Sequence, residues 1–182
     1  MKGTRLAFTA VGALALMLAV LPVSGASAAK LLELSTAGTP VANGSPGDVG
    51  LVIAECGIFS DGTVTANGAA KDTLKATSAS NPECPKGVSI SGIISETELG
   101  ATGKAKLTGS ITVTEPGPCV YVFTKFKPTF AVPGFVTLEG TSAGKLSKAL
   151  SSKTCEKKST QSYFADATSE VFGEPFEDAL KS

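Results

Sequence analysis

Residues 105–123 read AKLTGSITVTEPGPCVYVF, and this segment constrains the fold more than any other feature of the chain. Small or apolar residues occupy alternate positions up to residue 113, with Lys, Ser or Thr between them. A period of two is typical of a β-strand that buries one face. Pro116-Gly117-Pro118 interrupts the pattern, and β-branched and aromatic residues resume at Cys119. The segment therefore predicts two strands joined by a tight connection.

Shorter segments of the same kind recur along the rest of the chain. Apolar runs such as 49–55 (VGLVIAE) and 135–139 (FVTLE) are separated by clusters of Gly, Pro, Ser, Asn and Asp, which favour turns. The expected turns and loops include the four segments 36–48, 60–63, 78–86 and 96–103, and Asn67-Gly68 is a further turn signal. The pattern predicts an all-β fold, an antiparallel β-sandwich or barrel of about 9–11 short strands.

The chain contains four cysteines, an even number at wide spacings. Without a C-x-x-C pair, neither a zinc ribbon nor a thioredoxin-like redox site is indicated, and structural disulfides are the natural interpretation. Of the three pairings that four cysteines allow, we favour Cys56–Cys84 and Cys119–Cys155, because sequence neighbours pair without threading the chain. Each bond would close a loop of about 30 residues and stabilise the fold by roughly 3–4 kcal/mol.

Residues 1–29 have the pattern of a cleaved export signal. Lys2 and Arg5 precede an uncharged apolar run. Ala26-Ser27-Ala28 and Ser27-Ala28-Ala29 are both suitable cleavage sites of small residues, so the mature chain is expected to begin at Ala29 or Lys30. The run approaches membrane-spanning length, but Pro22 and the small residues after it favour cleavage over a retained anchor. We expect a signal peptide of bacterial type at 1–29, followed by one secreted domain at 30–182. That domain would be extracellular, or periplasmic in a diderm bacterium.

Composition excludes several classes of function. The chain has 16 basic and 16 acidic residues, and loss of Lys2 and Arg5 with the signal leaves a net charge of about −2 and no arginine. This argues against nucleic-acid binding, and nothing indicates membrane association after cleavage. Histidine is absent, which removes His-based acid–base, nucleophilic and metal chemistry. We expect a protein that is not an enzyme and has no metal site or cofactor.

Four phenylalanines fall close together in the sequence and are candidate ligand-binding residues: Phe123, Phe126, Phe130 and Phe135. They could surround a pocket for an apolar ligand, or they could form the core, which is the interpretation we favour. Because prolines bracket residues 129–131, we expect Phe130 to be the most exposed of the four.

Carboxylates are the remaining candidates for chemistry. Glu96 and Glu98 would share one face of a strand, and a glycosidase needs two such groups at the right separation. Their place in an expected turn favours solvated charges instead. Asp48 and Asp61 lie in Pro-Gly-Asp and Ser-Asp-Gly, which do not form a calcium-loop motif.

The segments 55–68 (ECGIFSDGTVTANG) and 116–126 (PGPCVYVFTKF), within a chain rich in Thr, Ser and Gly, resemble uncharacterised secreted β-rich proteins of actinobacteria. The resemblance concerns the layout of the mature chain. It implies export and an all-β fold, and it implies no activity and no functional residues.

The sequence thus predicts a secreted non-catalytic binding or surface-associated structural module, with an extracellular small molecule or surface as its ligand. One alternative is a small β-barrel that binds a hydrophobic ligand inside. A less favoured alternative is a carboxylate-dependent secreted hydrolase, which would require two buried carboxylates about 5–10 Å apart in a cleft.

Overall fold

The computed structural model describes residues 31–68, 70–171 and 173–181. The expected export signal at 1–29 lies outside these ranges. Within them the chain forms only β-strands, arranged as two antiparallel sheets with two disulfide bonds. The predicted all-β antiparallel fold is therefore confirmed. The strands are β1 (Leu31–Thr36), β2 (Thr39–Pro40), β3 (Pro46–Ile53), β4 (Cys56–Ala66), β5 (Lys71–Glu83), β6 (Ser89–Gly100), β7 (Ala105–Glu115), β8 (Cys119–Phe123), β9 (Gly134–Phe135), β10 (Thr137–Leu146), β11 (Lys158–Thr168) and β12 (Phe176–Lys181).

Eight of these strands form a closed barrel in the order β10-β11-β3-β4-β5-β6-β7-β8. Strand β8 closes the barrel on β10 through two pairs, Val122 with Lys145 and Tyr121 with Leu146. The other four form a small sheet in the order β2-β1-β12-β9. Of the two predicted architectures, the barrel is the one that the described residues adopt.

The hairpin predicted at 105–123 is present as β7 and β8. Its register runs from Ile111 opposite Phe123 to Glu115 opposite Cys119, so Pro116-Gly117-Pro118 forms the connection. Both disulfides have the favoured pairing, Cys56–Cys84 and Cys119–Cys155.

Strands extend into all four of these segments: β2 and β3 into 36–48, β4 through 60–63, β5 into 78–86 and β6 into 96–103. At 60–63 and at the start of 78–86 the turn-forming residues lie inside long strands, and β4 and β5 shift register at Asp61/Gly62. A Cβ at Gly62 would overlap the backbone of Lys75, and Asn81 in β5 has a positive φ of 48°. Bulges of this kind bend a strand around a barrel, which explains why these residues do not end the strands.

The tightest barrel hairpin occurs where the sequence gives no turn signal. Ile53 pairs with Cys56, so Ala54 and Glu55 form a two-residue connection with φ values of 52° and 63°. Positive φ at both positions is the geometry that matches the twist of flanking strands. The connection keeps this geometry without the Asn or Gly that usually provides it.

Side chains fill the barrel interior. Phe123 is fully buried, and its ring lies against Gly144 of β10, where a Cβ would come within 2.6 Å of the ring. Tyr163 is packed in the same way against Gly140. The gap between Val49, Leu74 and Ile94 is too small to hold a water molecule.

The small sheet packs against the barrel near the connection between β4 and β5. Leu32, Leu34 and Phe176 are at most 1% exposed and belong to the same apolar core as the barrel residues. The Asn67 side chain hydrogen-bonds the backbone of Leu34, with its Nδ2 donating to the Leu34 carbonyl and its Oδ1 accepting from the Leu34 N–H, both at 2.8 Å.

Candidate functional site

An apolar cavity of about 600 Å³ opens beside the small sheet. Residues of the β1–β2 hairpin and the segment leading into β3 form one wall, and the connection from β11 to β12 forms the other. Val41 and Phe176 are buried in it, whereas Val171 is 62% exposed. This volume lies in the range of pockets that hold small organic ligands.

The first wall is positioned by backbone hydrogen bonds. The β1–β2 hairpin turns at Ala37-Gly38, both with positive φ. Directly after β2, the Val41 N–H donates to the Leu34 carbonyl at 2.9 Å, and Asn67 Nδ2 donates to the Val41 carbonyl at 2.6 Å. These bonds hold the Val41 side chain in the cavity without a long strand.

The second wall is a compact loop. The Ser169 N–H donates to the Glu174 carbonyl and the Gly173 N–H donates to the Ser169 carbonyl, both at 2.8 Å. At the inner end of the loop, the ring of Phe176 packs closely on Gly47. A Cβ atom on Gly47 would lie 2.7 Å from this ring. The loop therefore places a buried aromatic side chain at the inner end and exposed residues at the other.

Glu174 is the one charged side chain among the described residues that line the cavity. The rest are apolar or carry hydroxyl groups, as Thr36, Ser45 and Ser169 do. The arrangement fits an apolar molecule with one cationic or hydrogen-bond-donating group.

A pair of buried carboxyl groups lies next to this region. Asp178 is two residues after Phe176 on β12, and Asp72 lies on barrel strand β5; both are 0% exposed. Burial, and then the charge of Asp72, raise the pKa of Asp178 to about 7. Burial also raises the pKa of Asp72, against the effect of hydrogen bonds that its carboxylate accepts from the Gly68 N–H and from the protonated Asp178 carboxyl group. The backbone brings the two groups together: Asp72 Oδ1 accepts from the Gly68 N–H at 2.6 Å, the neighbouring Asn67 hydrogen-bonds the backbone of Leu34, and Leu34 pairs with Asp178. The two carboxyl groups therefore lie beside each other between the two sheets.

This pair does not have the geometry of a glycosidase. Hydrogen-bonded carboxyl groups are closer than the 5–10 Å or so that separates the two groups of such enzymes, and neither side chain reaches solvent. Two carboxylates are both acceptors, so they can hydrogen-bond each other only when one carries a proton. The arrangement is suited to sharing a proton.

The four phenylalanines singled out from the sequence lie in different surroundings. Phe123 is inside the barrel, and Phe126 is buried in an edge-to-face contact with Tyr163 at 5.3 Å between ring centroids. Phe130 is half-buried against the core, whereas Phe135 on strand β9 is 58% exposed. The expectation that Phe130 would be the most exposed was wrong, because β9 pairs with β12 and leaves the Phe135 side chain outside the core. None of the four is among the described residues that line the apolar cavity, and ligand binding by them stays a prediction.

Glu96 and Glu98 lie within β6 rather than in a turn. Glu98 pairs with Lys71 and, at 3.5 Å, with Lys106, and Glu96 lies 3.6 Å from Lys75. The hydrogen bond from Lys71 lowers the pKa of Glu98. These carboxylates are therefore part of an ion-paired outer face of the barrel.

The residues of the apolar cavity were missed because no local pattern marks them. Val41 lies in a segment of turn formers, and Phe176 begins a short terminal strand. Each is an isolated apolar residue, and isolated apolar residues carry no periodicity. The two parts of the chain are brought together by the pairing of β1 with β12 and of β3 with β11, which are contacts between residues far apart in the sequence.

No group of three or more His, Cys, Asp or Glu residues in the described ranges is placed to hold a metal ion. None of the described residues forms a helix that is long and apolar enough to cross a membrane. Comparison with protein-family models, with curated proteins and with solved structures gives no match to this chain.

Proposed function

We propose that this chain is a secreted, non-catalytic binding protein that holds a small apolar ligand in the apolar cavity. The cavity itself carries the proposal: about 600 Å³ bounded mostly by apolar side chains, with one carboxylate among the residues that line it. Pockets with few polar groups bind through the apolar body of the ligand and use those groups for orientation.

Export is part of the proposal and is supported by two features. Both pairs of cysteines are oxidised to disulfides, which is typical of oxidising compartments outside the cytosol. The pattern of Lys2, Arg5 and the apolar run before Ala26-Ser27-Ala28 matches a bacterial signal peptide.

We place the ligand beside the small sheet and not inside the barrel. Phe123 and Tyr163 occupy the barrel interior against glycines of β10, so a ligand there would have to displace packed side chains. In the apolar cavity, a ligand that removes roughly 300 Å² of apolar surface from water gains roughly 7 kcal/mol before the cost of association. We therefore expect dissociation constants in the micromolar range or weaker.

The proposal predicts that a bulky side chain in the cavity weakens binding. Ala42 is exposed and lines the cavity, so Ala42→Trp should weaken binding by about tenfold or more without affecting the core. Titration with N-phenylnaphthylamine, a neutral dye that fluoresces in apolar surroundings, measures the affinity. Ala143→Trp, an equal change at an exposed position on β10, is the control and should bind the dye like the parent protein.

The role of Glu174 can be measured with the same dye. Decylamine and decanol share an apolar chain and differ in charge, so the parent protein should release the dye at a lower concentration of decylamine. Glu174→Gln should remove that preference. The proposal is wrong if the dye does not bind, or if Ala42→Trp and Ala143→Trp bind it equally.

A further inference from the structure

Asp72 on the barrel and Asp178 on the small sheet are the two fully buried carboxyl groups among the described residues. They lie beside each other between the two sheets. Asp178 faces the barrel from β12, where it pairs with Leu34 of β1 and Gly134 of β9. Asp72 lies opposite Asp178, on barrel strand β5. Asp72 Oδ2 and both oxygens of Asp178 receive no hydrogen bond from a side chain or backbone donor with good geometry. The contact therefore depends on a proton between the two groups.

No described cation offsets these two charges. Lys71, next to Asp72, is exposed and pairs with Glu98. On the small sheet, Glu33 and Glu177 alternate with the buried residues of β1 and β12 and so belong to its opposite face. Strand β9 brings Gly134, which has no side chain. Asp72 and Asp178 therefore face each other without a neighbouring cation. Two buried negative charges in contact are strongly unfavourable, so the pair cannot easily lose both protons.

We infer that the Asp72–Asp178 pair is a proton-dependent connection between the small sheet and the barrel, which holds β12 in place when one proton is shared and loosens it when that proton is lost. Strand β12 also carries Phe176, the buried aromatic residue of the apolar cavity. Loss of the proton should therefore weaken ligand binding as well. This last step rests on the proposed function, whereas the effect on the fold does not.

The direction of the pH effect follows from the linkage of protons to folding. In the unfolded chain an aspartate has a pKa of about 3.9, whereas burial and Asp72 raise the pKa of Asp178 in the folded protein to about 7. Between about pH 4 and pH 7 the folded protein holds a proton that the unfolded chain has released. The unfolding constant should therefore rise by up to tenfold per pH unit over this window. The stabilisation is complete below about pH 4 and is lost as the pH rises past 7.

Asp178→Asn tests this inference, because an asparagine donates to Asp72 as the protonated acid does and has no proton to lose. Urea unfolding between pH 4.5 and 8.5 should show a free energy that falls with pH in the parent protein and falls less steeply in the variant. The variant should be the more stable of the two at pH 8.5. Glu83→Gln, at an exposed position on β5, is the control and should keep the parental slope. Equal slopes in the parent and Asp178→Asn overturn the inference.

Two further measurements apply if Asp178→Asn does not fold. Asp72→Asn should flatten the profile in the same way, because it also replaces the shared proton by an amide donor. Carbon-13 NMR of the aspartate carboxyl groups in the parent protein should show one that titrates near pH 7. If every aspartate titrates below about pH 5, the pair holds no proton at neutral pH and the inference is wrong.

The coupling to the cavity is measured by dye binding at pH 5 and pH 8. The parent protein should bind N-phenylnaphthylamine more weakly at pH 8, by about tenfold or more, and Asp178→Asn should bind it equally at both. Binding that does not change with pH contradicts the coupling and leaves the proposed function intact. Absence of binding at both pH values contradicts the proposed function, and the urea profiles then test the connection on its own.

Discussion

Asn67 connects the barrel to the small sheet with a single side chain. Its amide makes three hydrogen bonds to backbone groups: from Nδ2 to the carbonyls of Leu34 and Val41, and from the Leu34 N–H to Oδ1. These bonds add to the backbone bond from the Val41 N–H to the Leu34 carbonyl on the same side of β1. The same bonds fix Val41 at the apolar cavity.

Asn67→Ala should therefore destabilise the protein more than the loss of an ordinary surface amide. Three hydrogen bonds at about 1 kcal/mol each predict a loss of about 3 kcal/mol in the free energy of unfolding. Asn43→Ala, at an exposed position, is the matched control and should change that energy by at most about 0.5 kcal/mol. Urea denaturation measures both, and equal effects would show that the hydrogen bonds of Asn67 do not stabilise the fold.

The sequence predicts the turn at Asn67 but not the contacts of its side chain. Asn67-Gly68 is a turn signal, and Gly68 does have a positive φ of 95°. The partners of the Asn67 side chain lie 26 and 33 residues away in sequence, and no local pattern records a contact of that length. The same limit applies to Asp72 and Asp178, whose proton sharing depends on burial that only the folded chain produces.

At the scale of the strands, glycines inside β-structure decide how the barrel curves. A Cβ at Gly62 would overlap the carbonyl oxygen of Lys75 on the neighbouring strand, at a shift in the register of β4 and β5. Gly57 on the same strand has no heavy atom within 4 Å of such a Cβ. The two glycines thus have different roles within the same strand.

This difference predicts opposite results for one substitution. Gly62→Ala should destabilise the protein by about 3 kcal/mol, because the clash is with backbone that must move. Gly57→Ala should be neutral or stabilise by up to about 1 kcal/mol, because it restricts the unfolded chain. Thermal unfolding of the two variants gives the comparison, and a Gly62→Ala variant as stable as Gly57→Ala would show that the close approach at Gly62 is relieved without cost.

The strands themselves were largely predictable, and their ends were not. Alternation at 105–113 and the β-branched run from Cys119 identify β7 and β8, because period-two burial is a local property. Gly62 and Asn81 suggested turns since the same residues serve turns and bulges. Whether such a residue forms a turn or a bulge depends on the neighbouring strand, and the pairing with that strand cannot be read from the local sequence.

For the whole molecule, closure of the barrel depends on its shortest seam. Strands β8 and β10 share two residue pairs, whereas β10 and β11 share nine. The Cys119–Cys155 disulfide spans the same seam from the start of β8 to the segment after β10. The sequence could predict this disulfide. It could not distinguish a sandwich from a barrel, because a contact of two residue pairs between distant strands has no local signature.

Removal of this disulfide should open the seam selectively. The loop of 36 residues that it closes predicts a loss of roughly 4 kcal/mol for Cys119→Ala/Cys155→Ala, and amide hydrogen exchange should accelerate most at Val122 and Lys145. Cys56→Ala/Cys84→Ala is the matched control, because it removes a loop of 28 residues between strands that already share a long ladder. That variant should lose a similar free energy of unfolding without faster exchange at the seam. If amide hydrogens at Val122 and Lys145 exchange equally slowly in both double variants, the two residue pairs between β8 and β10 close the barrel without the disulfide. The disulfide would then stabilise the protein only by restricting the unfolded chain.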